Sequence, residues 1–318
     1  MTTPLRIGTR KSALALWQAD HVADLLALRG HDCEIVPIST AGDRILDRPL
    51  AAIGGKGLFV KELEDALQQG RCDLAVHSAK DVPYELPAGL RLCALPQRED
   101  ARDALVSPRF GRFADLPQGA RLGTSSLRRA MQLLAVRPDL QIVPGRGNVQ
   151  TRLNRAELEL DGVVLALAGL RRLGLEGRVT EVLPVELSLP SAGQGAIAIE
   201  AAAGSRGEDA ALPLGDARTT RCVLAERALL RRLSGGCTLP VAAYAVEDRG
   251  DLWLRARIGG PDGRGGVRLL HAEERGRPVL GETLGHEVAE LLLRSGAGPL
   301  LDASRQQQEE RLAAPLAG

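Results

Sequence analysis

The first 95 residues alternate short apolar runs with amphipathic ones, and that alternation constrains the fold more than any other feature of the chain. LRIGT, CEIVPIST, DLAVHS and LRLCALP have the length and apolar character of buried strands. Between them, SALALWQADHVADLLALRG and GLFVKELEDALQQG carry apolar residues at helical spacing. Ser12 is a candidate N-cap for the first of these, and a glycine stops each one. Strand–helix alternation of this kind calls for a mostly parallel sheet covered by helices. The theme returns after PQREDARDALVSP: ARLGT leads into SSLRRAMQLLAVRP, QIVPGRG into NVQTRLNRAELE, and GVVLALAG into LRRLGL. The expectation is two similar α/β units in tandem, without a detectable sequence repeat.

SLPSAGQGAIAIEA (188–201) resumes a strand-like run after a glycine-rich crossing and is a candidate to return to the first unit. Beyond the polar GSRGED the pattern changes. DARTTRCVLAERALLRRL reads as an amphipathic helix, followed by the loop SGGCTLP and three alternating strands, VAAYAVE, LWLRARIGG and VRLLHAEERG. A helix, LGETLGHEVAELLLRSG, and a polar tail close the chain. This third unit is expected to be α+β, with a three-stranded antiparallel sheet against helices. The expected domains are 1–95 with 195–213, 96–194, and 214–303, followed by a tail over 304–318.

Bulk properties narrow the function. The chain is 44% hydrophobic and 25% charged, ordinary for a soluble globular protein. No stretch approaches the roughly 20 apolar residues of a membrane span. MTTPLRIGTRKSALALW has no apolar export region, so a cytoplasmic location is expected. Five cysteines (33, 72, 93, 222 and 237) without metal-ligand spacing read as reduced thiols. A net charge of +1 argues against general nucleic-acid binding. Only four lysines, at 11, 56, 61 and 80, accompany thirty-seven arginines, and all four lie in the first 80 residues.

The chemistry-bearing stretches sit where strands hand over to helices or loops. GTRKS (8–12), GTSSLRRA (123–130), GRGNVQTR (145–152) and GLRRLG (169–174) form four basic clusters at such positions. Open α/β sheets bind ligands at the carboxyl ends of their strands, and helix N-termini offer free N–H groups to anions. Thr124, Ser125 and Ser126 add hydroxyls, while Arg128 and Arg129 add forks suited to carboxylates. A single cluster of this kind is usually a solvated helix face; four in two facing units imply a cleft for a small polyanion. With the balancing acids lying elsewhere, the polyanion is expected to be small and bound locally, and phosphates and multiple carboxylates both fit.

Three other stretches stand out. DLAVHSAKDVP ends an apolar strand on Lys80 and Asp81, a pair whose ordinary fate is a solvated turn. GGKGLF (54–59) places Lys56 in a glycine-rich loop without P-loop spacing, either a flap or a flexible turn. Cys237, in SGGCTLP, is the one cysteine on a glycine-flanked loop. Of the five histidines only His77 lies near a candidate site, so a Cys–His hydrolase is poorly supported and an attachment role for the thiol stays open.

GTRKSALALWQA, GGKGLFVKELEDAL, DLAVHSAKDVP, GTSSLRRAMQL, RGNVQTRL, AGLRRLGL, LPSAGQGAIAIE and LSGGCTLPV, in this order over residues 6–241, resemble the porphobilinogen deaminase (hydroxymethylbilane synthase) family. The resemblance implies two hinged α/β domains like a two-lobed anion-binding protein, plus a smaller α+β domain bearing the cysteine. It implies a transferase of porphyrin and heme biosynthesis, expected to be monomeric and independent of nucleic acid and membrane. Such an enzyme joins four porphobilinogen molecules head to tail, releases ammonia, and frees a linear tetrapyrrole, hydroxymethylbilane, by hydrolysis, water supplying the hydroxyl. It also implies a covalent dipyrromethane cofactor held by a thioether, at the position of Cys237. By motif match Asp81 is the catalytic carboxylate. Arg10, Ser12, Lys56, Ser78, Lys80, Thr124, Ser125, Ser126, Arg128, Arg129, Arg146, Arg152, Arg172 and Gln194 match positions that hold cofactor and substrate. The alternative is a non-enzymatic two-lobed protein that binds small anions.

Overall fold

The computed structural model describes residues 3–40, 60–145, 147–234 and 239–313, with side chains described as far as residue 306. The flap stretch 54–59 with Lys56, together with Arg146 and Cys237, lies outside the described residues.

In chain order the first unit contains β1 (Leu5–Arg10), α1 (Ala13–Ala27), β2 (Cys33–Ile38), α2 (Lys61–Gln68), β3 (Leu74–Ser78) and β4 (Leu90–Ala94). The second contains β5 (Asp103–Val106), β6 (Arg121–Gly123), α3 (Leu127–Val136), β7 (Gln141–Val143) and α4 (Val149–Leu158). It continues with β8 (Gly162–Ala166), α5 (Leu167–Arg172) and β9 (Glu181–Val182). Then come β10 (Ile197–Ala202) and the short helix α6 (Arg206–Ala211).

The two sheets share one plan. The first runs β2-β1-β3-β10-β4 and the second β7-β6-β8-β5-β9. In each, three strands are parallel and the fourth is antiparallel to both neighbours: β10 between β3 and β4, β5 between β8 and β9. Those two antiparallel strands are the ones reached by crossing between units, so 95–103 and 183–197 bridge the pair. The basic clusters after β1 and after β6 therefore occupy equivalent places in the two sheets.

Local sequence explains the elements. Ser12 caps α1, its hydroxyl accepting from the Ala15 N–H at 3.3 Å, and Ser126 caps α3 by accepting from Arg129 N–H at 3.4 Å. Ala15, Ala19, Val22 and Leu26 form the buried stripe of α1, the last three packed with Leu5, Ile7, Leu74 and Ile199 of the first sheet. The second sheet has apolar clusters on both sides, one around Leu153, Leu165 and Leu170 and one around Leu105, Leu122 and Leu133. Sheets buried on both faces need such continuous apolar strands.

The third unit is α7 (Ala217–Arg232), the meander β11 (Val241–Asp248), β12 (Asp251–Pro261) and β13 (Val267–Gly276), then α8 (Gly281–Arg294) and α9 (Ala297–Ala313). Its core packs Leu229, Leu254, Ile258, Val288 and Leu292 together. The polar closing stretch differs from the expectation of a tail. α9 begins within AGPLLDASR, whose Pro299 falls in the first turn, where no N–H is needed, and Leu300 and Leu301 bury against this core.

The fold class is thus as read from the sequence: mixed α/β, with two five-stranded sheets and a small C-terminal α+β unit on a three-stranded antiparallel sheet. A smaller cluster joins the first unit to the third: Ala79, Val82, Leu95, Ala196 and Ala198 pack with Val223 of α7.

Candidate active site

At the carboxyl ends of β1 and β3 the chain leaves a crevice lined by Arg10, Ser12, Gln18, His77, Ser78 and Asp81 among others. β1 delivers Arg10, the cap of α1 delivers Ser12, and β3 ends on Ser78, whose hydroxyl lies 2.9 Å from Gln18 Nε2. A short 3₁₀ turn, Ala79–Asp81, follows. It separates the two charges of the Lys–Asp pair. Asp81 faces the crevice, whereas Lys80 Nζ reaches Gln194 Oε1 at 3.5 Å. Burial, and next the Arg129 charge, push the Lys80 ammonium down to about 8.

Gln194 sits on the crossing that returns from the second unit. Its neighbours Gly193 and Gly195 have φ of +71° and +88°, a region that favours glycine. Both positions are also crowded. A Cβ on Gly193 would lie 3.0 Å from Ala79 C and Lys80 N, and one on Gly195 would run into the Glu99 carbonyl. The two glycines let Gln194 be pressed between the Lys80 turn and the other crossing. There its amide donates to Ala101 O at 2.6 Å and to Asp103 Oδ1 at 2.8 Å.

Asp103, at the start of β5, is the residue that sequence reasoning missed. It is fully buried and takes Arg128 Nη1 at 2.8 Å, Arg129 Nη2 at 2.7 Å and the Ser188 hydroxyl at 2.7 Å. Burial alone would raise its carboxyl, but Arg128 and Arg129 outweigh it and hold the group far below the usual carboxylate range. The expectation that balancing acids lie away from the basic clusters is therefore corrected. Asp103 neutralises one of the two buried guanidinium groups, and Arg171 in the fourth cluster pairs with Glu99 and Glu176, each at 2.8 Å. Two adjacent arginines buried beside a sheet need such a partner. The only hint in the sequence was an aspartate opening an otherwise apolar strand.

The remaining matched residues lie on the second unit, each held by its own local contacts. Thr124 is buried and accepts from Ser126 N–H at 3.2 Å. Ser125 is exposed at the start of α3, its hydroxyl donating to Gly145 O at 2.9 Å. Arg152, on α4, donates from Nε to Gly147 O at 3.0 Å and so folds back toward the start of its own helix. Arg172 donates to Gly195 O at 2.7 Å and stands 5.7 Å from the Trp17 ring, tying α5 to the crossing and to α1. Arg10, Ser12, Ser78 and Asp81 thus share one crevice, while Lys80, Gln194, Arg128 and Arg129 share one hydrogen-bonded network. The Arg128 Nε is buried without a partner among the described residues.

This arrangement can present several cationic and hydroxyl donors to an acidic ligand around a single carboxylate. A family model for the porphobilinogen deaminase dipyromethane cofactor binding domain matches residues 5–209, and one for the porphobilinogen deaminase C-terminal domain matches residues 220–294. Among solved structures, the chain is similar to the methionine binding protein MetQ, with 13% identity, 66% of this chain and 89% of that chain covered, and a TM-score of 0.43. It is similar also to a periplasmic substrate-binding protein of an ABC transporter from Coxiella burnetii, at 16% identity, 66% and 91% coverage, and TM-score 0.42. The periplasmic VFT2 domain of BvgS from Bordetella pertussis gives 18%, 66% and 85%, and 0.38. The reading as a non-enzymatic anion-binding protein is not favoured, because the family models reach into the third unit as well as the two lobes. With both of its domains matched over nearly the whole length, the chain belongs to the porphobilinogen deaminase family.

Proposed function

We propose that the protein joins four porphobilinogen molecules head to tail into linear hydroxymethylbilane, with Asp81 as the catalytic carboxylate. The observation that carries this reading is the placement of Asp81 in the crevice beside Arg10, Ser12 and Ser78, one turn from the cationic network of Lys80, Arg128 and Arg129. Each porphobilinogen bears an acetate and a propionate. Arg10, Arg152, Arg172 and Lys80 grip these arms, with Ser12, Ser78, Thr124, Ser125 and Ser126 adding hydrogen bonds, and the guanidinium forks fix their orientation. Lys56 and Arg146, outside the described residues, belong to the same set by motif. No helix of the described residues is long and apolar enough to cross a membrane.

The residues also fit a dipyrromethane group, which carries four carboxylates. The unpartnered, buried Nε of Arg128 is a donor of the kind such arms require. Cys237 is the proposed point of thioether attachment. When bound, dipyrromethane supplies the free pyrrole carbon to which the first substrate unit is joined.

Asp81 accepts hydrogen bonds from the substrate pyrrole N–H and stabilises the positive charge that spreads over the ring as the aminomethyl group, protonated as ammonium, departs as ammonia. At about 4 Å and an effective dielectric near 20 that attraction is roughly 4 kcal/mol. Expressed on the barrier, it is on the order of a thousandfold in rate. Attack by the neighbouring pyrrole carbon forms the new bond. Asp81 then takes the proton that this carbon loses and passes it to water.

Incubating the purified protein with porphobilinogen tests this. Ammonia and a linear tetrapyrrole are expected at about four to one, and unconsumed porphobilinogen would overturn the reading. Lys80 adds a pH dependence. Its ammonium is lowered to about 8 in the free protein, so positive charge is present below that pH and lost above it. kcat/KM for porphobilinogen is expected to fall as pH rises through about 8 and to stay level there in Lys80→Arg, which cannot deprotonate. An unchanged alkaline limb in the variant would remove Lys80 from substrate binding.

A further inference from the structure

Helix α7 belongs to the third unit, yet two consecutive residues of it are buried against other parts of the chain, Glu226 against the two crossings and Arg227 against the first unit. Glu226 is fully buried and accepts from Gly193 N–H at 2.7 Å and from Arg98 Nη1 at 2.7 Å, while Arg98 Nε donates to Gln194 O at 2.8 Å. Arg227, also buried, donates from Nη1 to Val82 O at 3.0 Å and from Nη2 to Pro83 O at 2.5 Å. One turn earlier, Val223 packs on Ala79 and Val82. The third unit therefore reaches both turns of the candidate site: the one that ends in Asp81 and the one that carries Gln194.

The Asp81 turn depends on this support on one side only. Its start is tied to the sheet, with Ala79 N–H donating to Ala196 O at 3.0 Å, and Gly193 is pressed beneath Ala79 and Lys80. Its end carries the long local bond Val82 N–H to Ala79 O at 3.3 Å, and then two carbonyls that meet the Arg227 fork. A planar guanidinium can span consecutive carbonyls, whereas an ammonium offers one compact point of charge. Fixing Val82 and Pro83 fixes the backbone immediately after Asp81.

We propose that Arg227 is a positioning residue for Asp81, holding the catalytic turn from the third unit, which also carries Cys237 ten residues further along the chain. This rests on the proposed function, and it assigns to α7 a part in turnover beyond packing. Misplacing a reacting group by about 1 Å costs on the order of a hundredfold in rate, while binding of the substrate arms by residues elsewhere is left intact.

The test is steady-state kinetics of Arg227→Met and Arg227→Lys on the cofactor-loaded protein, with thermal midpoint and intact mass recorded for each. For Arg227→Met, kcat is expected to fall about 100-fold with KM within about twofold of wild type and the two-ring mass adduct retained. Arg227→Lys should fall in between, about 10-fold, and it carries the test alone if the methionine variant does not fold. A kcat within about threefold of wild type in folded protein, or a loss expressed wholly in KM, overturns the inference. Wild-type protein inert toward porphobilinogen would instead overturn the function on which it rests.

Discussion

Asp81→Asn is expected to lose about three orders of magnitude in kcat for porphobilinogen while keeping the wild-type fold and nearly the wild-type KM. Asparagine has the same shape and can still accept a hydrogen bond from a pyrrole N–H, but it has no charge to set against the developing cation. The roughly 4 kcal/mol of attraction assigned to the carboxylate is made only as ammonia leaves, so its loss appears in kcat. The fold should be indifferent. Asp81 is half-exposed at the edge of the crevice, and its turn is shaped by Ala79 N–H on Ala196 O and by Arg227 on the carbonyls of Val82 and Pro83. Circular dichroism and a thermal scan separate the two effects. Turnover within tenfold of wild type would take Asp81 out of the chemistry.

Asp103→Ala is expected to act on stability instead, and strongly. Removing this carboxylate leaves Arg128 and Arg129 buried without their counter-charge, and breaking a buried pair in this way costs about 3–5 kcal/mol. Chemical denaturation should show the loss as a lowered midpoint with the slope preserved. The same residue sets an acid limb. The Asp103 carboxyl is held below its ordinary value in the folded protein, so its contribution is complete above the unfolded value of about 4 and is lost as pH falls further. Asp103→Asn should flatten that limb. A destabilisation under about 1 kcal/mol for the alanine variant would mean that the guanidinium groups are satisfied without it.

These two aspartates show what the chain disclosed before folding and what it withheld. The alternation of LRIGT, DLAVHS, ARLGT and GVVLALAG with helical stretches reports the sheets directly, because burial on both faces demands apolar runs of that length. The place of Asp81, just past a strand end and beside the crevice, was legible. Asp103 was not, since a lone aspartate before ALV looks the same whether it meets solvent or two guanidinium groups. Glu226 and Arg227 were hidden for the same reason. In LAERALLRR they read as the polar face of an amphipathic helix, yet that face is covered by the turns at 82–83 and 193–194. Charge pattern along one helix gives the face but not what packs against it. The helix at 297–313 was missed because its composition is polar and its anchors, Ala297, Leu300 and Leu301, sit together at its start. Gly193 and Gly195 were visible as a glycine-rich crossing, but the reason for them, a backbone pressed against Lys80 on one side and Glu99 on the other, is a long-range fact.

Intact-mass spectrometry of the purified, active protein tests most directly whether the chain builds tetrapyrroles on a group tethered at Cys237. The wild-type mass is expected to exceed that of the sequence by two linked pyrrole units, and Cys237→Ala to show the bare sequence mass and no turnover. An active wild-type preparation at the unmodified mass would contradict the account.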